Sequence, residues 1–93
     1  MANLWNNDKN FKIIKMSWRE YVAATESWGL CDCCGGSDFE YGGYYIPLID
    51  SWFCKTCFDA WYSTAKRYKV DIQKEQEKFI KMKHKLEDLG CWE

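Results

Sequence analysis

Apolar positions fall at strand-like spacing in two stretches of this chain and at helical spacing in two others. Residues 11–16, Phe-Lys-Ile-Ile-Lys-Met, form a short β-prone run. Ser17 and Glu20 follow in capping-box spacing: the serine hydroxyl accepts from the Glu20 N–H, and the glutamate reaches back to the Ser17 N–H. Met16 and Tyr21 stand at the flanking staple positions. The helix this predicts carries Trp18, Tyr21, Val22, Thr25 and Trp28 at i, i+3, i+4, i+7 and i+10, and Gly29 is its expected stop. Further on, Gly42-Gly43 separates two β-prone runs and predicts a two-residue hairpin, with Tyr41 opposite Tyr44 and Phe39 opposite Ile46. That aromatic face is either core or a platform for stacking bases. Pro47 lacks an N–H to donate and places its strand at an edge.

The last third of the chain has a heptad pattern. With Phe58 at a, the a positions are Phe58, Ala65, Ile72, Phe79 and Leu86, and the d positions are Trp61, Tyr68, Glu75, Met82 and Leu89. Only Glu75 interrupts the seam. Neither Gly nor Pro occurs over residues 55–89, and Gly90 follows as a stop. One helix of that length is about 50 Å long, whereas a globule of this size is about 30 Å across. The expectation is a head over residues 1–70 and a projecting continuation of the helix over residues 71–93, within a single domain. The competing expectation is a break near Val70 and Asp71, with Asp71 as a new N-cap. A projecting seam of Ile72, Phe79, Met82, Leu86 and Leu89 needs a partner. Lys78 and Lys85 at g and Lys69 and Lys83 at e disfavour a parallel in-register homodimer. They favour an acidic groove on another protein, or an offset or antiparallel homodimer.

Six cysteines change the picture of so short a chain. Residues 1–10, MANLWNNDKN, contain no apolar segment of a secretion leader, so the expected setting is cytoplasmic and reducing. There, Cys31-x-x-Cys34 and Cys54-x-x-Cys57, nineteen residues apart, point to metal binding. Each pair puts two thiolates on one side of a tight turn, and two such turns facing each other make a tetrahedral four-sulfur site suited to one structural Zn2+. Gly35 stands where a knuckle turn needs φ > 0. A pair of redox dithiols is the alternative, but it lacks the βαβ setting that thioredoxin-like chemistry uses. Cys33 is an alternative ligand, but two intervening residues suit the knuckle better than one, so it reads as a bystander thiol; Cys91 reads as a packing residue or a bystander.

The order of knuckle, β-hairpin and C-x-x-C at a helix N-terminus resembles the treble-clef zinc finger over roughly residues 30–68. The resemblance implies Cys31, Cys34, Cys54 and Cys57 as zinc ligands, and it implies no particular activity. Treble-clef nucleases use catalytic histidines, and this segment has none. The expected fold is therefore a small α+β zinc-binding domain: N-terminal strand and helix, treble-clef finger, long C-terminal α-helix.

Charge sharpens the functional classes. The net charge is −1, yet residues 1–60 hold five Lys or Arg against eight Asp or Glu, while residues 64–86 hold eight Lys or Arg against three acids. No apolar run approaches the roughly 18 residues of a membrane span. His84, the one histidine, falls opposite the seam, and no nucleotide-binding loop or nucleophile–base pair is present. A closed site of four cysteines leaves no position for a reacting water. The expected function is a non-enzymatic module that binds a protein through Ile72, Phe79, Met82, Leu86 and Leu89, flanked by Lys78, Lys81 and Lys85, with no small-molecule substrate. Small adaptors and inhibitors have this character, among them phage or mobile-element accessory proteins of anti-CRISPR type, although no motif resembles a specific one. The alternative is nucleic-acid binding, with Tyr44 and Tyr45 stacking on bases and Lys66, Arg67 and Lys74 meeting phosphates.

Overall fold

The computed structural model describes residues 2–93. Strands β1 (Asn3–Trp5), β2 (Ile13–Met16), β3 (Gly43–Ile46) and β4 (Ser51–Cys54) form one antiparallel sheet in chain order. Together with its helices the sheet makes a small α+β domain. β2 and β3 are interior and almost wholly buried, which suits their Ile and Tyr content. The register sets Leu4 opposite Ile14, Ile14 opposite Tyr45, and Tyr45 opposite Trp52.

Helix α1 (Trp18–Thr25) starts as its capping box requires. The Glu20 N–H donates to Ser17 Oγ at 3.2 Å, and the Ser17 N–H donates to Glu20 Oε1 at 2.9 Å. It ends earlier than Gly29. Glu26 takes a left-handed conformation (φ 54°), and its N–H closes on the Val22 carbonyl. Trp28 therefore lies outside the helix and is 88% exposed.

The hairpin differs from the sequence expectation. Gly42-Gly43 is not its turn: Gly43 opens β3, and the hairpin joins β3 to β4 through residues 47–50. That turn is closed by the Ile49 N–H to the Ile46 carbonyl and the Asp50 N–H to the Pro47 carbonyl, both at 3.2 Å. Packing explains the shift. A Cβ on Gly43 would come within 2.4 Å of the Trp52 ring, so glycine is there for close approach. Pro47 follows the last paired residue of β3, where its missing N–H costs the ladder nothing, and β3 is interior rather than an edge.

The C-terminal region is not one helix. Helix α2 (Lys55–Thr64) ends in an extended Ala65, a 3-10 turn covers Lys69–Asp71, and helix α3 (Ile72–Asp88) follows. The break is the competing expectation realised, although the Asp71 side chain makes no capping hydrogen bond. Lys9 Nζ donates to the Tyr62 carbonyl and, at 3.2 Å, to the Ala65 carbonyl, placing a cation at the carbonyl end of α2. α3 then folds back, so that Glu75, Phe79, Met82 and Leu86 are buried within the chain. The radius of gyration is 12.3 Å, close to the roughly 12 Å of a compact chain of this length. Residues 71–93 thus form no projecting arm. Their end is zipped to the beginning: the Ala2 N–H donates to the Cys91 carbonyl at 2.8 Å and the Glu93 N–H to the Ala2 carbonyl at 2.9 Å.

The core has an aromatic cluster on each face of the sheet. On one, Tyr44 stacks on Phe58 of α2 at 4.1 Å, with Trp5 edge-on to both. On the other, fully buried Trp52 lies between Tyr21 at 4.2 Å and Phe39 at 4.9 Å.

Candidate metal centre

The first C-x-x-C is a tight turn. The Gly35 N–H donates to the Cys31 carbonyl at 2.8 Å and the Cys31 N–H to the Gly36 carbonyl at 2.9 Å. Gly35 takes φ 72°, as expected of a residue at this bend. Asp32 anchors the turn to β4 in two ways. Its N–H donates to the Trp52 carbonyl at 2.8 Å, and its Oδ2 accepts from the Trp52 N–H at 2.8 Å. The second pair comes from the junction of β4 and α2, where Cys54 is the N-cap and Cys57 lies in the first helical turn. Hydrogen bonding across β4 therefore fixes how one pair faces the other.

The Sγ atoms of Cys31, Cys34, Cys54 and Cys57 all lie within 4.8 Å of one another. Tetrahedral coordination with metal–sulfur bonds of about 2.3 Å separates sulfurs by about 3.8 Å; Cys34 Sγ and Cys54 Sγ are 3.9 Å apart. All six cysteines are free thiols. Burial works against a thiolate at Cys31, but N–H donors from Cys34, Cys54 and Cys33 outweigh it and bring the group down to about 6. The Cys54 N–H, for one, points at Cys31 Sγ over 3.4 Å. Burial first pushes Cys54 and Cys57 upward; neighbouring cysteines add to it at Cys57, whereas at Cys54 hydrogen bonds from Cys57 oppose it and Cys31 and Cys34 add to it. One thiolate thus makes the next harder to form, and a bound cation removes that conflict. The donor set fits a soft metal ion.

Cys33 is exposed and outside the tetrad. Cys91 lies beside the Leu89 carbonyl and is no part of the cluster. Of the expected partner surface, Phe79, Met82 and Leu86 are buried in the chain's own core, so they are not available as an uncovered seam; Ile72 and Leu89 remain exposed. The stacking platform is corrected in the same way: Tyr44 and Tyr45 are only 5% and 4% exposed. Tyr45 Oη donates to Asp50 Oδ1 at 2.5 Å. Arg67 is engaged by Glu75, whereas Lys66 and Lys74 are exposed. Sequence reasoning missed Glu75 as a buried acceptor, although its solitary position in an apolar seam was the available signal. It also missed a cleft of about 150 Å³ beside Tyr21 and Thr25, into which Lys78, Lys81 and Lys85 project.

No helix among the described residues is long and apolar enough to cross a membrane. Comparison with protein families, with curated proteins and with solved structures gives no match.

Proposed function

We infer that this chain is a zinc-stapled, treble-clef-type module that performs no catalysis and binds an acidic surface of another protein as an adaptor or inhibitor. The observation that carries the reading is the four-sulfur cluster within 4.8 Å. The treble-clef reading is supported by the order of its parts: a knuckle turn, the β3–β4 hairpin, and a second ligand pair at the N-terminus of α2. An all-thiolate, four-donor set suits zinc, and four protein ligands leave no open position for substrate. The sole histidine, His84, is exposed on α3 and has no part in the cluster.

The partner surface is the lysine flank of α3. Lys74, Lys78, Lys81 and Lys85 recur at i, i+4, i+7 and i+11 and share one side of the helix. Only Lys78 meets an acid among the described residues, Asp50 at 3.5 Å. With the apolar seam turned inward, charge replaces the greasy stripe as the attraction. The nucleic-acid alternative retains its lysines and loses its tyrosine platform.

Elemental analysis of reduced protein should give one zinc per chain, and Cys54→Ser should abolish both the metal and the cooperative melting transition. A bound partner should dissociate as salt rises and be lost from a Lys81→Glu/Lys85→Glu variant that melts like the wild type. Metal-free folded protein would refute the zinc staple, and a partner retained equally by that variant would refute the docking face.

A further inference from the structure

Helices α1 and α3 lie against each other, and the groove between them changes chemistry along its length. At one end is the cleft of about 150 Å³, whose lining includes Tyr21, Thr25, Asp50, Lys78, Lys81 and Lys85. Further along α3 the groove shares Thr25 and Lys85 but is otherwise lined by Ala23, Ala24, Leu89, Glu26 and Asp88, around a wider space of about 400 Å³. A basic pocket and a wider space lined by apolar and acidic side chains thus adjoin within about three turns of helix.

The charges at the basic end do not balance internally. The Asp50 carboxylate is already engaged, accepting from Tyr45 Oη and pairing with Lys78. Lys81 and Lys85 have no partner among the described residues, and like charges four apart on a helix repel. Two uncompensated ammonium groups match a dianion. A phosphate monoester carries about −1.5 to −2 charge at neutral pH and offers three acceptor oxygens. A carboxylate carries only one charge. The cleft is also smaller than the roughly 300–1,000 Å³ of pockets that enclose whole small molecules, so it suits one oxyanion and not a nucleoside.

We propose that this groove docks a phosphorylated segment of a partner protein. The phosphoserine or phosphothreonine sits on Lys81 and Lys85, an aliphatic side chain rests on Ala23, Ala24 and Leu89, and a basic residue meets Glu26 and Asp88. The proposal rests on the reading of the chain as a protein-binding module and narrows its partner. A peptide changes chemistry from residue to residue, as this groove does. A nucleic-acid strand repeats its phosphate, and its next phosphates along the groove would face Glu26 and Asp88. Leu89, 47% exposed although apolar, is the surface the aliphatic contact would cover.

The test uses the full metal-loaded chain and an oriented peptide library with a fixed phosphoserine or phosphothreonine and degenerate flanks. The expected result is enrichment of an aliphatic and a basic residue on one side of the phosphoresidue. The selected peptide should bind at least tenfold more weakly without its phosphate, and at least tenfold more weakly to a Lys81→Ala/Lys85→Ala variant of unchanged melting temperature. Asp88→Lys should erase the basic preference and keep the phosphate dependence. Absence of any enrichment overturns the proposal. Equal binding of the unphosphorylated or glutamate-substituted peptide also overturns it, and leaves the acidic-protein reading standing. Tighter binding of a mixed-sequence single-stranded or duplex oligonucleotide through the same two lysines overturns both.

Discussion

Arg67 Nη2 donates to Glu75 Oε1 at 3.0 Å across the 3-10 turn that separates α2 from α3. The Glu75 side chain is 2% exposed, and its other oxygen accepts the Lys12 N–H at 3.1 Å. One carboxylate therefore ties the interhelical turn, the first turn of α3 and the strand-side residue Lys12 together. This arrangement accounts for an acid in an otherwise apolar seam. Where the helix folds back on its own sheet, the carboxylate has two donors to meet.

Removing either charge should leave the other group poorly compensated. Glu75→Ala and Arg67→Ala are each expected to cost about 3–5 kcal/mol in urea unfolding. Glu75→Leu combined with Arg67→Met should recover most of that loss, because no charge remains to be buried. Single variants within about 1 kcal/mol of wild type would show that the latch contributes little.

The buried seam makes a second prediction. Leu86 is fully buried, and Leu86→Ala should cost about 2–5 kcal/mol. Phe79→Asp with Leu86→Asp should remove the cooperative thermal transition altogether, since both charges would enter the core. A double variant that keeps a folded head, seen as wild-type near-UV circular dichroism, would mean that α3 does not pack as described.

Gly43 offers a steric test. A methyl group there would approach Trp52 Cη2 to 2.4 Å and Phe39 Cδ1 to 2.9 Å. Gly43→Ala should cost at least about 1–3 kcal/mol. Gly43 also pairs with Cys54 of the proposed metal site, so the variant should lose metal to a competing chelator faster than wild type. Unchanged stability and unchanged metal release would rule out the close contact.

Tyr45 supplies a pH dependence. Burial, followed by the hydrogen bond to Asp50 and its charge, pushes the phenol well above its ordinary 10.0. The folded state thus prefers the protonated phenol. Its contribution is complete below pH 10 and is lost as pH rises through the folded-state value. Unfolding midpoints of wild type should fall above pH 10 more steeply than those of Tyr45→Phe. In Asp50→Asn the phenolate absorbance should develop at lower pH than in wild type. Parallel pH profiles for wild type and Tyr45→Phe would contradict this account.

Features decided within a few residues were legible in the sequence. Ser17 and Glu20 close their capping box as their spacing requires, and Gly35 takes the positive φ its knuckle needs. The two C-x-x-C pairs converge into one four-sulfur cluster. Spacing alone proposes that cluster, because each pair pre-forms half a site and a metal joins halves from distant parts of a chain. The Gly42-Gly43 pair was misleading for a complementary reason. Two glycines satisfy a tight turn locally, but here Gly43 is required by the Trp52 ring nine residues later.

The heptad pattern is correct as periodicity, and α3 does bury Phe79, Met82 and Leu86 on one face. What periodicity omits is the surface that covers the face. A seam folded onto its own sheet and a seam awaiting a partner have the same spacing. The choice was made by contacts far apart in sequence: Lys12 with Glu75, Lys9 with the end of α2, Ala2 with Cys91. The sequence by itself determined the local caps, the thiol pairs, the helical period and the basic character of the last helix, since each depends on near neighbours. Only the tertiary structure decided that the helix breaks, that its apolar face turns inward, and that its lysine flank is left beside α1, because burial is settled by which distant surfaces can meet.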